Sequence, residues 1–316
     1  MPRAFLGKMD PRAWAGVIAG SLNGNVIPFA PGRLKPAMRQ RRAENAGLPQ
    51  TLGRIGALEV RLARTAKEVK KAQRLRFQVF YEEMSAIPDA VSMFSRRDRD
   101  TYDAICDHLL VLDHSVPPPP FGKAKPKVVG TYRLLRQSVA EAHGGFYTAS
   151  EFEIEPLVAA HPGKRFLELG RSCVLAPYRN KRTVELLWHG IWAYVQHHAV
   201  DVMIGCASLE GTDPSRLAMP LAFLHHHAAA SGEWAARALP GRHVAMDRMA
   251  KSAIDPKAAL HALPPLLKGY LRLGASIGDG AVVDRQFGTT DVLVILPVEN
   301  IAGKYIGYFG SDRKAA

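Results

Sequence analysis

Cysteine is scarce: Cys106, Cys173 and Cys206 are the only three among 316 residues. They are too few and too scattered for a disulfide framework or a thiolate zinc site, and they suit a reducing compartment. Also missing is any run approaching the ~20 uninterrupted apolar residues of a membrane span, so the chain reads as soluble or peripheral. No internal repeat occurs, and low-complexity sequence is confined to a proline run at 117–120 and a triple histidine at 225–227. Acidic residues are short in one region. Residues 1–76 hold 16 Lys+Arg against 4 Asp+Glu, or +12 of the chain's +13, and the remainder holds 26 against 25. With 47 % apolar side chains the chain can bury a large core, as one elaborated domain or two.

The first 56 residues mix short apolar patches with Pro, Gly and Arg and keep no period. They are expected to form a basic, partly disordered arm. A sharper reading lays this arm on an acidic partner or an anionic lipid surface, with Trp14, Val17 and Ile18 dipping into the interface. A cleaved signal peptide fits poorly, because Asp10 and Arg12 sit where its apolar core should begin and no clear cleavage site follows.

Regular structure is expected from residue 57. "LEVRLAR" alternates as a strand, and the following segment, 65–84, opens with Thr65 and Glu68 at capping-box spacing for a helix. "ICDHLLVLD", "KVVGTYRLL", "FLELGRSCVL" and "DVMIGCASL" read as four further strands. The first two of these flank the proline-rich stretch and can pair as a long-looped hairpin. The last two flank a helix-length segment with Val184, Leu187, Trp188, Ile191, Trp192 and Val195 on one face, which makes a strand-helix-strand unit. Trp188 and Trp192 read as core residues that can also wall a tunnel.

Within "FLELGRSCVLAPYRNKRTVELLWHGIWAYV", residues 166–195, a strand runs into a basic turn that opens a helix. The first helical N–H groups lack partners and the helix dipole favours negative charge, so Arg179, Asn180, Lys181 and Arg182 stand at a candidate anion site.

This order of elements resembles the Gcn5-related acetyltransferase superfamily, which implies a mixed central sheet flanked by helices. In that family a glycine-rich turn grips the cofactor pyrophosphate. Here the glycine positions read Arg182 and Val184, which points to the phosphopantetheine of a carrier protein as donor rather than free coenzyme A. "RFQVF" (76–80), "DRDTYD" (98–103), "GTYRLL" (130–135) and "ELGR" (168–171) follow the order and spacing of the acyl-homoserine-lactone synthase branch, with Asp98 where that branch usually has glutamate. "LEGTDP" (209–214) and the stretch 263–296 resemble the ornithine-acyl carrier protein N-acyltransferases instead. Lactone synthases are shorter and lack such a tail. The resemblance implies an acetyltransferase-like core at 57–210, an extension at 211–316 packed on it, and transfer of a 3-hydroxyacyl chain to the α-amine of ornithine, giving lyso-ornithine lipid. It also implies an enzyme at the cytoplasmic face of the inner membrane, with acyl carrier protein as partner, no bound cofactor or metal, and no nucleic acid. A lactone-type autoinducer synthase and a non-catalytic basic module that binds carrier protein, lipid or nucleic acid are the alternatives.

Acyl transfer from thioester to amine needs a neutral amine, a stabilised carbonyl oxygen and a protonated leaving thiol. An amino-acid acceptor adds a carboxylate, which suits the bidentate fork of arginine, and ornithine adds a distal ammonium, which suits carboxylates. Arg76, Arg133 and Arg171 are candidates for the first, Asp98, Asp100 and Asp103 for the second, and Glu168 for a base acting directly or through water. The same arginines and acids can instead form a buried ion network that holds the first helix on the sheet. Glu168 and Arg171 lie an odd number of residues apart, so both reach one cleft only if a bulge intervenes. His108 and Asp113, spaced as in glycerolipid acyltransferases, point to opposite faces of a strand, and the consecutive His225, His226 and His227 cannot share a helix face. No serine or cysteine has a recognisable base beside it in sequence, in keeping with direct transfer.

Overall fold

The computed structural model describes residues 41, 43–117 and 125–301. Most of the N-terminal arm and most of the proline-rich connection lie outside them.

Eight strands form one sheet: β1 (Gly53–Ile55), β2 (Leu58–Leu62), β3 (Asp107–Asp113), β4 (Lys127–Arg136), β5 (Phe166–Val174), β6 (Val202–Glu210), β7 (Ser276–Asp284) and β8 (Thr289–Pro297). Their spatial order is β1-β2-β3-β4-β5-β6-β8-β7. The helices are α1 (Ala66–Phe77), α2 (Ala90–Ser95), α3 (Gln137–Glu141), α4 (Ile154–Ala159), α5 (Lys181–His197), α6 (Ala218–Ala228), α7 (Pro256–Ala262) and α8 (Pro265–Leu273). No helix among the described residues is long and apolar enough to cross a membrane.

The period-two alternation of the strands sorts their side chains into two cores. Leu167 and Leu169 of β5, Met203 and Ala207 of β6, and Val292 and Val294 of β8 pack with residues of α1 and α5. Phe166, Val202, Ile204, Leu293 and Ile295 face the other way, against Phe146, Phe152, Ile154 and Leu157. β3 and β4 pair antiparallel, as the hairpin reading expects, and β5 and β6 are parallel neighbours joined through α5. The apolar stripe of α5 lies on the sheet at Gly190, where a Cβ would come within 2.8 Å of Val60 and 2.9 Å of Leu109. Only a residue without a side chain allows so close an approach.

The start of α1 realises half of the expected capping box. The Thr65 side chain accepts from the Glu68 N–H at 3.3 Å. The Glu68 carboxylate, however, takes the Arg64 N–H at 2.8 Å and the Arg61 guanidinium of β2 at 2.6 Å, and the charged donor makes the stronger of the two bonds. At its far end α1 widens into a π-helical turn, Gln78–Glu83. Ordered packing begins ahead of β1: Arg41 is buried and pairs with Asp107 at 3.5 Å, Glu44 pairs with Arg136, and Asn45 meets His198 at 2.8 Å.

The parallel ladder between β5 and β6 is short. It runs from Phe166, Leu167 and Glu168 to Val202, Met203 and Ile204, and there it stops. Beyond that point the two strands part, and the main-chain N–H and C=O groups on their facing edges are left to whatever occupies the gap.

Candidate active site

A cavity of about 720 Å³ fills the gap between β5 and β6. Residues 169–174 of β5 and 206–208 of β6 form its sides, and Val79, Leu187, Trp188 and Leu266 give it an apolar arm. Trp188 stacks edge-on against Tyr270 and lines the cavity, whereas Trp192 is buried and absent from the lining.

A bulge interrupts β5. Its register on β4 jumps between Arg133 opposite Gly170 and Thr131 opposite Cys173, and Arg171 takes a left-handed φ of 49°. Such a backbone costs a non-glycine residue about 1–3 kcal/mol and persists only where its surroundings hold it. This irregularity turns both Glu168 and Arg171 into the cavity, which a regular strand forbids.

What holds Arg171 is a closed ring of alternating charges. Arg76 binds Asp98 at 2.6 Å, Asp98 meets Arg171 at 3.4 Å, and Arg171 meets Asp100 at 3.4 Å. Asp100 binds Arg133 at 2.6 Å, Arg133 lies 3.6 Å from Asp103, and Asp103 returns to Arg76 at 2.8 Å. Gln73 and Tyr81 add hydrogen bonds to Asp103 at 2.9 Å and to Asp98 at 3.1 Å. Arg171 is further flanked by the rings of Tyr147 and Phe287, each 4.8 Å away.

The ring corrects part of the sequence reading. Arg76, Asp98, Asp100 and Asp103 lie outside the cavity lining, and Arg76 and Asp103 are wholly buried. They pair within the ring instead of facing the cavity. Arg133 and Arg171 do line the cavity. Burial alone would raise the Asp98 and Asp100 carboxyls, but Arg76 and Arg171 beside the first, and Arg133 and Arg171 beside the second, hold both below the usual carboxylate range.

Glu168 is also buried and lines the cavity. Its Oε2 accepts from the Tyr147 N–H at 2.9 Å, and its Oε1 accepts from the Thr148 N–H at 2.7 Å and from the Thr148 hydroxyl. With about two acceptor sites on each oxygen, one on Oε2 stays open. Burial pushes this carboxyl up, against the lowering effect of those hydrogen bonds. It pushes all three cysteine thiols up as well, so none is a ready thiolate.

At the mouth, Asn180 caps α5 by accepting from the Thr183 N–H at 3.2 Å, as a turn-to-helix junction requires. Arg179, Asn180 and Lys181 line the cavity there, whereas Arg182 is exposed and outside the lining. Arg179 donates to the Val174 carbonyl at 2.9 Å and pairs with Glu83.

Other sequence signals disperse. His108 turns to the Asp103 carbonyl at 3.0 Å, and Asp113 accepts from Tyr178 at 2.7 Å, so the two do not form one site. His225 and His226 do converge with Asp247 within metal-ligand distance, away from the cavity lining. Sequence reading passed over another group: Asp284 at the end of β7, with Thr289 and Asp291 of β8, lines the same cavity as Arg171.

A model of the acetyltransferase (GNAT) domain matches residues 75–189, in agreement with the expected fold. The L-ornithine N(alpha)-acyltransferase of Agrobacterium fabrum is 56 % identical over 269 residues, covering 85 % of this chain and 89 % of the relative. Its namesake in Rhizobium meliloti is 56 % identical over 272 residues, covering 86 % and 90 %. Among solved structures, the AHL synthase LasI aligns with a TM-score of 0.42 and 12 % identity, over 82 % of this chain and 98 % of the other.

The ring generates a stability prediction. Arg76→Met strands two buried carboxylates and should cost about 3–5 kcal/mol in denaturant unfolding, or prevent folding. Because Asp98 and Asp100 titrate below their unfolded values, their contribution is present above about pH 4 and lost as pH falls below it. The denaturant midpoint of the wild type should therefore hold from pH 7 to about pH 4 and fall between pH 4 and pH 3. A loss under ~1 kcal/mol for Arg76→Met would show that the ring does not hold the fold.

Proposed function

Because the chain belongs to the family of L-ornithine N(alpha)-acyltransferases, we propose that it moves a 3-hydroxyacyl chain from the phosphopantetheine thioester of acyl carrier protein to the α-amine of ornithine, giving lyso-ornithine lipid. The chain is an acyltransferase, which removes the non-catalytic alternative. The observation that carries the reading is the gap between β5 and β6, with a basic mouth at α5, an apolar arm, and Arg171 beside a buried glutamate at its inner end.

In this reading Arg171, with Arg133 behind it, takes the acceptor's carboxylate. The long 3.4 Å contacts of Arg171 in the ring leave donors free for a bidentate partner. Glu168 removes a proton from the α-ammonium through the open site on Oε2, directly or through water, and its burial suits it to that task. The amine lone pair then attacks the thioester carbonyl carbon. The C–N bond forms, the C–S bond breaks, and the proton that the acylated nitrogen must lose passes, directly or through water, to the leaving sulfur, which departs as the carrier's free thiol. The apolar arm past Trp188 and Leu187 suits the acyl chain.

The donor follows from the mouth. Arg182 and Val184 stand where close backbone approach to a pyrophosphate calls for small residues, while Arg179 and Lys181 offer charge to a single phosphate and to an acidic carrier surface. Attachment to an anionic bilayer is the remaining part of the proposal. Arg3, Lys8, Arg12, Arg33, Lys35 and Arg39 precede the described residues. On the core, Phe94 is 94 % exposed beside Val91 and Met93, and Arg96, Arg97 and Arg99 follow it. An apolar tip ringed by cations suits a lipid interface.

Glu168→Gln should lower kcat on the order of 100-fold. It should also lower Tm, since an amide nitrogen replaces one of two oxygens that now face only donors. Undiminished turnover in the folded variant would remove Glu168 from proton transfer. With ornithine as acceptor, kcat/KM for 3-hydroxyacyl carrier protein should exceed that for the same acyl coenzyme A and fall as salt rises; equal values would count against the carrier reading. Removal of residues 1–40, and separately Phe94→Asp, should each reduce sedimentation with anionic liposomes while leaving transfer to soluble ornithine near normal. Unchanged sedimentation in both would exclude these surfaces.

A further inference from the structure

Three carboxylates crowd one end of the cavity. One oxygen from each of Glu151, Asp284 and Asp291 lies within 4.8 Å of the others. Glu151 comes from the segment that follows Thr148, Asp284 ends β7, and Asp291 sits on β8 opposite Ser208 of β6 and Val282 of β7. Part of this charge is answered by neighbouring protein groups. Arg242 meets Glu151 Oε1 at 3.2 Å, and the Cys206 thiol donates to Oε2 at 3.3 Å. Asp284 Oδ1 accepts the Gln286 and Phe287 N–H groups of the β7–β8 turn at 2.8 and 3.0 Å.

Asp291 is less well neutralised: the Ser208 and Thr289 hydroxyls stand near it and the charge of Arg171 acts on it, but no cation among the described residues is in contact. It lines the cavity and is 7 % exposed, and its Oδ1 is buried without a hydrogen-bond partner among the described residues. The hydroxyl of Thr289, two residues away on the same face of β8, lines the same wall and is buried without a partner too. A buried carboxylate crowded by two others is costly in its charged form unless a cation offsets it. Burial and the neighbouring charge of Asp291 push the Glu151 carboxyl up to about 7, against the lowering effect of Arg242.

The opposite wall is cationic. Arg171 is close enough for its charge to act on Asp291, and Phe287, beside the Arg171 guanidinium, lines the space with it. One small zwitterion carrying a second cation satisfies both walls. We infer that Asp291, with Asp284 beside it and Glu151 behind, is the subsite for the distal ammonium of a diamino-acid acceptor, and that it makes the enzyme select ornithine over amino acids with neutral side chains. Three ammonium N–H donors match the unfilled oxygens of Asp291 and Asp284 and the Thr289 hydroxyl. This rests on the proposed transfer to ornithine and adds what distinguishes that acceptor.

The test compares ornithine with norvaline, which has the same carbon skeleton without the distal amine, using the full chain and 3-hydroxyacyl carrier protein. Wild type should prefer ornithine strongly in kcat/KM. Asp291→Asn should reduce that preference by roughly 30-fold or more, mainly through KM for ornithine. Asp284→Asn, whose side-chain oxygen can still close the turn, should reduce it in the same direction by less. Equal losses for both acceptors, an unchanged preference, or a wild type that accepts norvaline as readily as ornithine would overturn the subsite. So would activity abolished by a chelator and restored by a divalent metal, since the carboxylates would then hold a metal ion. Wild type that acylates neither ornithine nor norvaline would instead sink the proposed reaction, and this inference with it.

Discussion

Six clustered charges, four of them buried and Asp100 and Arg171 partly exposed, depend on one another. Arg76, Asp98, Arg171, Asp100, Arg133 and Asp103 alternate in sign around a closed circuit, so each guanidinium has two carboxylate neighbours and each carboxylate two guanidiniums. An isolated pair at such depth gains little over an apolar pair, but removal of one member from a circuit strands two opposite charges. The circuit ties α1, the segment before β3, β4 and β5 together at one point. That point adjoins the gap in the sheet, so the same contacts that hold the fold also aim Arg171. A residue with φ of 49° would not hold its place without them.

From that anchor the rest of the site follows. The bulge that brings Arg171 to the gap falls just after β5 has stopped pairing with β6, so Glu168 and Arg171 open into the same space. Gly205 of β6 marks the last close contact, since a Cβ there would lie 2.3 Å from the Leu169 carbonyl oxygen. Beyond it an acyl thioester can enter from the α5 side, while an amino acid can be held between the guanidinium and the carboxylates of β7 and β8. The C-terminal extension thus belongs to the site, because β8 hydrogen-bonds directly to β6.

The fold was largely legible because it rests on local patterns. Alternation marked β2, length and apolar content marked β3 to β6, the Thr65 cap marked α1, and the basic turn with the apolar stripe after it marked α5. The odd spacing of Glu168 and Arg171 even stated the condition, a bulge, under which both serve one cleft. The site was legible only in part. That Arg76 and Asp103 are wholly enclosed depends on which charges meet across elements, and spacing does not encode that. The partners of Glu168, the Tyr147 and Thr148 N–H groups and the Thr148 hydroxyl, carried no signature in the sequence, since two of them are backbone atoms and all lie about twenty residues away. Glu151, Asp284 and Asp291 were invisible for a related reason: they lie more than a hundred residues apart at the extremes, and only the pairing of β6, β7 and β8 brings them together. The one available signal was the stretch 263–296, which separates the ornithine branch from the lactone synthases and carries two of the three.

Placement of the acceptor between a guanidinium wall and a carboxylate wall is the central claim, and the acylated nitrogen reports on it. With the carboxylate on Arg171 and the distal ammonium on Asp291, only the α-amine is free to lose a proton to Glu168 and meet the thioester. Fragmentation mass spectrometry of the product formed from ornithine and a 3-hydroxyacyl carrier protein locates the amide. The account predicts the acyl chain on the α-nitrogen alone; acylation of the δ-nitrogen, or of both, would contradict it.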